Sequence, residues 1–297
     1  MFNLKPDVVA RLERVLSSVE MLLPRTVKAV DWSTCYAANW RRHSFSGYLE
    51  PVKVTDTTTL EELLGVEEQK EVMVNNTRQF LAGLPANNAL LWGSRGTGKS
   101  SIVKALLNEY SPQGLRIIQI EKEDLIYLSE IFNAVEEQPY RFILLCDDLT
   151  FEVGELSYKM LKSALDGSVY SPPENVLIYV TSNRRHLLPE YESDHLGGKF
   201  VKGEMQQSEA MEEKVSLSDR FGLWVAFYAF SQDRYLDAVR LAIAREARER
   251  KVEIPHTSEL EREAVQWSHD KTKRCGRTAY QFSKNYVGRY LLAKQGK

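Results

Sequence analysis

The sequence predicts an α/β domain in three layers, with a largely parallel sheet covered by helices on both faces. Three observations lead there. From about residue 60, short segments that are apolar throughout alternate with helical ones, the pattern of strands buried on both faces. A glycine-rich stretch, GSRGTGKS at 93–100, joins one such segment to a helix. Beyond residue 231 the strand pattern stops and only amphipathic helices follow.

Each element follows from its local pattern. Residues 6–23 place Val8, Leu12, Val15, Val19 and Leu22 on one helical face, and Pro24 ends it. Residues 28–58 carry Trp32, Tyr36, Trp40 and Tyr48 around Arg41, Arg42 and His43. A helical layer packed on the main domain is the expected use of these aromatics, with base stacking the rarer alternative. Residues 1–58 are therefore read as an N-terminal helical extension, closed by the turn-forming TDTTT.

Helices are expected at 60–83, 98–110, 122–137 and 154–167, and strands at 88–93, 114–121, 141–148, 175–183 and 221–230. This assigns 59–231 to an α/β domain and 232–297 to a C-terminal helical lid, with helices at 231–250, 257–270 and 276–294. The polar, glycine-containing connection at 191–215 has no pattern of its own, and loops of that length are commonly functional or disordered.

Composition narrows the function classes. The 297 residues are 43% hydrophobic and 27% charged with a net charge of -2, so nothing global draws the chain to nucleic acid or an anionic membrane. Cys35, Cys146 and Cys275 are far apart and form no CxxC pair, as expected of reduced thiols in a cytoplasmic protein rather than disulfides or zinc ligands. The N-terminus threads charges through its apolar residues and does not read as a signal peptide. The longest apolar run, FGLWVAFYAF, is too short to cross a bilayer.

The chemistry starts at Gly93–Ser100, which fits G-x-x-x-x-G-K-[ST] after a strand and at a helix start, a P-loop in its required context. Gly93, Ser94, Arg95, Gly96, Thr97 and Gly98 let successive backbone N–H groups face phosphates, and the helix N-terminus adds positive potential. Lys99 is expected to reach the β- and γ-phosphates of ATP, and Ser100 to coordinate Mg²⁺, with Ser101 alongside. A P-loop needs an acid at the end of a neighbouring strand, and FILLCDD supplies Asp147 as the second Mg²⁺ ligand. Asp148 next to it is either a turn residue or the group that polarises the attacking water, one methylene shorter than the more usual glutamate. Thr181, Ser182 and Asn183 end the next strand on the same sheet edge, where ligands of parallel sheets bind.

These stretches, with SLSDRFGLWVAFY and CGRTAYQF, run collinearly over about residues 60–290 and resemble the AAA+ ATPases, most closely the bacterial family catalogued as DUF815. The resemblance implies an AAA+ P-loop NTPase fold and further roles. Asn183 would be sensor 1, orienting the attacking water. Arg220 would be an arginine finger serving a neighbouring subunit, with Arg184 and Arg185 as substitutes. Arg277 would be sensor 2, touching the γ-phosphate from the lid. Leu64, Gly65 and Val66 would line the adenine pocket.

The expected activity is Mg²⁺-dependent ATP hydrolysis that remodels a macromolecular partner, in a ring or filament of copies of this chain. The alternative is a slow or non-hydrolysing ATP-dependent switch or loader-type scaffold, and a small-molecule P-loop kinase is a remote third. DNA enters as a partner only through the resemblance to loader ATPases and the basic segment Lys271–Arg277, whose expected use is instead lid charge near the phosphates.

Overall fold

The computed structural model describes residues 29–43, 46–54, 56–152, 155–167, 171–185, 187, 199–201, 204–206 and 217–295, with the isolated helical positions 8, 11, 14 and 15. The helix expected over 6–23 otherwise lies outside the described residues.

Seven strands form one sheet. An antiparallel hairpin of β1 (Ala37–His43) and β2 (Ser46–Val52) leads into four parallel strands, β3 (Ala89–Gly93), β4 (Leu115–Ile120), β5 (Arg141–Cys146) and β6 (Val176–Ser182). Strands β7 (Lys199–Val201) and β8 (Glu204–Gln206) pair as a separate antiparallel hairpin, and β9 (Leu223–Phe227) returns to the main sheet. The order across the sheet is β2-β1-β4-β5-β6-β3-β9. β6 thus lies between β3 and β5, and the ends of all three open on one edge.

Strands buried on both faces explain the unbroken apolar runs. On one face Leu90, Ile118, Leu144 and Ile178 pack under α3 (Leu128–Val135) and α4 (Leu156–Leu165). On the other, Leu91, Ile117, Leu145 and Tyr179 pack under α1 (Glu67–Leu81) and α2 (Lys99–Tyr110). Neighbouring residues such as Leu90 and Leu91 serve opposite layers, as the two-residue period of a strand requires. The helix expected from residue 60 begins only at Glu67, because Gly65 takes a left-handed turn at φ +72°. Residues 122–127 form a 3-10 turn ahead of α3 rather than its first turns.

The helical layer expected at 28–58 is instead the β1–β2 hairpin, which adds two strands to the sheet. β1 pairs in parallel with β4, Ala37 opposite Ile117, so residues 37–52 belong to the α/β domain. The cause is a period of two: Ala38 and Trp40 are buried, Ala37 and Asn39 are half-buried and Arg41 is exposed, while Arg42, in phase with the buried pair, ends the pattern by pairing with Asp124 at 2.5 Å. Arg116, itself buried, clamps the segment ahead of it by donating from Nε and a terminal nitrogen to the Trp32 carbonyl at 2.9 and 2.7 Å. Its guanidinium lies 4.8 Å from the Tyr36 ring centroid and 4.1 Å from that of Tyr140. Trp32 meets Phe142 edge-on in the core, so these aromatics are structural. The connection at 191–215, expected to lack structure, contains the β7–β8 hairpin and is otherwise outside the described residues.

The C-terminal helices α5 (Gln232–Glu249), α6 (Ser258–Asp270) and α7 (Gly276–Gln295) enclose their own core of Tyr235, Val239, Leu260, Ala264, Phe282 and Val287. Side-chain N-caps start two of them: Ser231 accepts from the Arg234 N–H, and Thr257 from the Leu260 N–H. No helix among the described residues is long and apolar enough to cross a membrane.

Candidate functional site

The loop from β3 to α2 is shaped by two close approaches. Gly93 has φ +125°, and a Cβ there would lie 2.1 Å from the Phe227 carbonyl oxygen. Without that Cβ the loop can rise beside β9, where the Ser94 N–H donates to the same oxygen at 2.8 Å. Gly96 sits under the start of α7, where a Cβ would be 2.8 Å from Cys275 Sγ and 3.0 Å from Arg277 Cβ. The Arg277 N–H donates to the Gly96 carbonyl at 3.2 Å, so the helical unit begins on the loop itself. Thr97 Oγ1 donates to the Ser94 carbonyl at 2.7 Å and closes the turn.

Lys99 is 7% exposed. Its Nζ donates to the Gly93 and Ser94 carbonyls at 2.9 and 2.8 Å and to Asn183 Oδ1 at 3.2 Å. Burial holds the ammonium below the usual lysine pKa; Asp148 and Asp147 work against that shift, while Arg277 and Arg95 add to it.

The two acids follow β5. Asp147 Oδ1 accepts from Ser100 Oγ at 2.5 Å and also from Thr181 Oγ1. The same Thr181 oxygen accepts the Asp148 N–H at 2.9 Å, so one strand-end hydroxyl ties both acids to β6. Asp148 adopts φ +53°, a left-handed conformation uncommon for a residue with a Cβ. That turn sends its carboxylate toward Asn183, whose Nδ2 donates to Asp148 Oδ1. Asn183 therefore bridges Lys99 through its oxygen and Asp148 through its nitrogen.

These groups line a cleft of about 1040 Å³ between the sheet edge and the C-terminal helices. Arg95, Gly96, Thr97, Gly98, Ser100 and Ser101 form its floor, and Arg277 reaches it from α7. Leu64 and Val66 line the cleft with Leu63, Ala238, Leu241 and Ala242 as an apolar wall, whereas Gly65 forms the turn between the first two and does not line it. Arg245 of α5 pairs with Glu62 at 3.1 Å and donates to Thr57 Oγ1 at 3.1 Å, tying the helical unit to that wall.

Arg220 is elsewhere. It lies in the turn before β9 and pairs with Asp166 at the end of α4. Arg185 is stacked over Trp92, 5.6 Å from the ring centroid. Part of the site is not foreseen from the sequence. Thr181 lies at the ligand edge of the sheet as its strand-end position predicts, but its tie to both acids is not legible there. Leu63 and the α5 residues carry no local signal at all, because their place on the cleft depends on how the helical unit docks.

The strand order with β6 between β3 and β5, the loop before α2 and the appended helical unit define an AAA+ P-loop fold. RuvB of Thermotoga maritima, described as a Holliday junction branch migration motor, superposes with TM-score 0.53 at 16% identity over 80% of this chain and 66% of that one. A proline-to-glycine mutant of the same motor gives 0.55 at 15% identity over 80% and 67%. The family model described as protein of unknown function (DUF815) matches residues 33–290, and the chain belongs to that family. A local similarity joins it to the replication factor C large subunit of Ignicoccus hospitalis, 39% identical over 54 residues, 18% of this chain and 11% of that protein. The chain thus spans 66–67% of the RuvB motor and only a short stretch of the replication factor subunit.

Proposed function

We propose that this chain binds ATP with Mg²⁺ in the cleft, hydrolyses it, and couples turnover to the remodelling of a macromolecular partner. The observation that carries the reading is the convergence of Lys99, Ser100, Asp147, Asp148, Asn183 and Arg277, from separate segments of the chain, on one cleft beside a P-loop. The donor set suits Mg²⁺: the Ser100 hydroxyl and the Asp147 carboxylate are hard oxygen ligands already held 2.5 Å apart. Those two residues would hold the ion, which when bound neutralises charge on the β- and γ-phosphates.

The chain's own groups divide the remaining work. Lys99 and the loop N–H groups hold the phosphates, and Arg277 adds positive charge from the helical unit. Asp148 is the acceptor for a proton of the attacking water, and Asn183 fixes its carboxylate. The apolar wall at Leu64 and Val66 takes the adenine. Arg220, remote from its own cleft, is assigned to the cleft of a neighbouring copy in a homo-oligomer. The protein is assigned to the cytoplasm, in keeping with its cysteine usage.

Phosphate release with Mg²⁺ and ATP tests this reading. Turnover is expected to rise more steeply than protein concentration and to vanish in Lys99→Ala. A second reading, the ATP-dependent switch or loader scaffold, is favoured by one observation: Asp148 is short and its carboxylate is already engaged by Asn183. Tight ATP binding without phosphate release at any protein concentration would replace the first reading with the second.

A further inference from the structure

A second cavity, of about 840 Å³, lies on the other side of the P-loop, between the ends of β3, β6 and β9 and the connection from α6 to α7. Four cationic side chains line it, Arg95, Arg184, Lys273 and Arg274, together with His269, and among the described residues no carboxylate does. Arg274 donates to His269 Nε2 at 2.9 Å. None of the four pairs with a carboxylate among the described residues. Several other arginines of the chain are neutralised in place, as in Arg41–Glu50, Arg240–Glu261, Arg245–Glu62 and Arg289–Glu263. In a molecule of net charge -2, this concavity is a local surplus of positive charge aimed at an anion.

An aromatic cluster that does not itself line the cavity adjoins its lining residues in the chain. Tyr228 adjoins the lining residue Ala229 and is 69% exposed. Its ring meets that of Trp92 edge-on at 6.2 Å, and the Arg185 guanidinium covers Trp92. Trp92 lies two residues before the lining residue Ser94, and Arg185 directly follows the lining residue Arg184. Cations tracking a backbone, beside aromatic faces and a planar guanidinium that accept bases, are the two components of a single-strand binding surface. A small anion or an acidic peptide would use the cations and leave the exposed tyrosine idle. A duplex would keep its bases from stacking.

We propose that this second cavity binds a single nucleic-acid strand, its phosphates against Lys273, Arg274 and Arg184 and a base on Tyr228. This deepens the ATP reading by naming the partner class, and it rests on that reading. Arg95 and Asn183 line both cavities, so strand and nucleotide meet at shared residues. Linkage then requires each to alter the affinity of the other by the same factor.

The test uses the full chain and a fluorescein-labelled oligothymidylate of about 20 nucleotides, long enough for one such site, followed by anisotropy with and without a non-hydrolysable ATP analogue. Binding is expected to weaken with salt, with a log–log slope of about -2 to -3 for roughly three or four phosphate contacts. Lys273→Glu, at an exposed position, is expected to lower that slope by about 1 and weaken binding about tenfold. Tyr228→Ala is expected to weaken it at least about fivefold at unchanged slope. ATP-analogue binding measured without the strand is expected to stay intact in both variants. Three results would overturn the proposal: no strand binding, strand binding indifferent to both variants, or Lys273-dependent binding of pyrophosphate alone. A change only in oligomeric state on Lys273→Glu would reassign the cavity to a subunit contact. Each of these can occur with ATP turnover intact, whereas loss of turnover with strand binding retained would refute the ATPase reading instead.

Discussion

Thr181→Val is the most discriminating single substitution in the cleft. The side chain is 1% exposed in the middle of the sheet, so valine fills the same space and keeps the β-branched shape of the strand. What disappears is one hydroxyl that donates to Asp147 and accepts from the Asp148 N–H. Both acids are exposed and recover water, which places the stability cost near the lower range for two such bonds, about 1–2 kcal/mol. At about 2–4 °C per kcal/mol the melting temperature should fall by only a few degrees. The functional effect should be larger. Partners that orient a metal ligand are typically worth about 10–100-fold in metal affinity, so the Mg²⁺ concentration for half-maximal turnover should rise by that factor. The assay is phosphate release at saturating ATP across an Mg²⁺ titration, with a thermal melt alongside. A lowered melting temperature with an unchanged Mg²⁺ midpoint would refute the reasoning and leave Thr181 a packing residue.

Three other expectations follow from named contacts. Gly93→Ala should lower the melting temperature by at least about 5 °C, because its Cβ would sit 2.1 Å from the Phe227 oxygen at φ +125°; an unchanged melt would mean that β9 moves freely. Arg220→Ala should reduce turnover by about 10³-fold while leaving ATP binding intact. Mixed with Lys99→Ala it should recover part of the activity, since one subunit would supply the arginine and the other the lysine, and no recovery would rule out action in trans. Burial pushes the Tyr235 phenol up to about 12, with Cys275 adding and Arg274 opposing. A raised folded pKa makes its stabilisation complete below the ordinary tyrosine value of about 10 and lost as pH rises towards 12. The melting temperature over that window should fall more steeply in the wild type than in Tyr235→Phe, and parallel curves would contradict the assignment.

The sequence by itself determined the layered α/β class and the glycine-rich turn from β3 into α2, because both are local. An apolar run of about five or six residues needs cover on two faces, and GSRGTGKS sets backbone curvature and charge within one short stretch. Asp147 was legible for the same reason, as an acid ending such a run at a distance the loop requires. Only the tertiary structure decided that residues 37–52 extend the sheet. Their alternation is short, and the edge strand β2 and the end of β1 that overhangs β4 carry charges such as Glu50 and Arg41 that mask a strand pattern. Tertiary structure also decided the partners of Asp148. Thr181 and Asn183 lie 33 and 35 positions away in the chain and reach it only because β6 is inserted beside β5. The second cavity depends on the same cause: Arg95, Arg184 and Lys273 come from three distant segments and line one cavity only once the sheet edge and the helical unit meet.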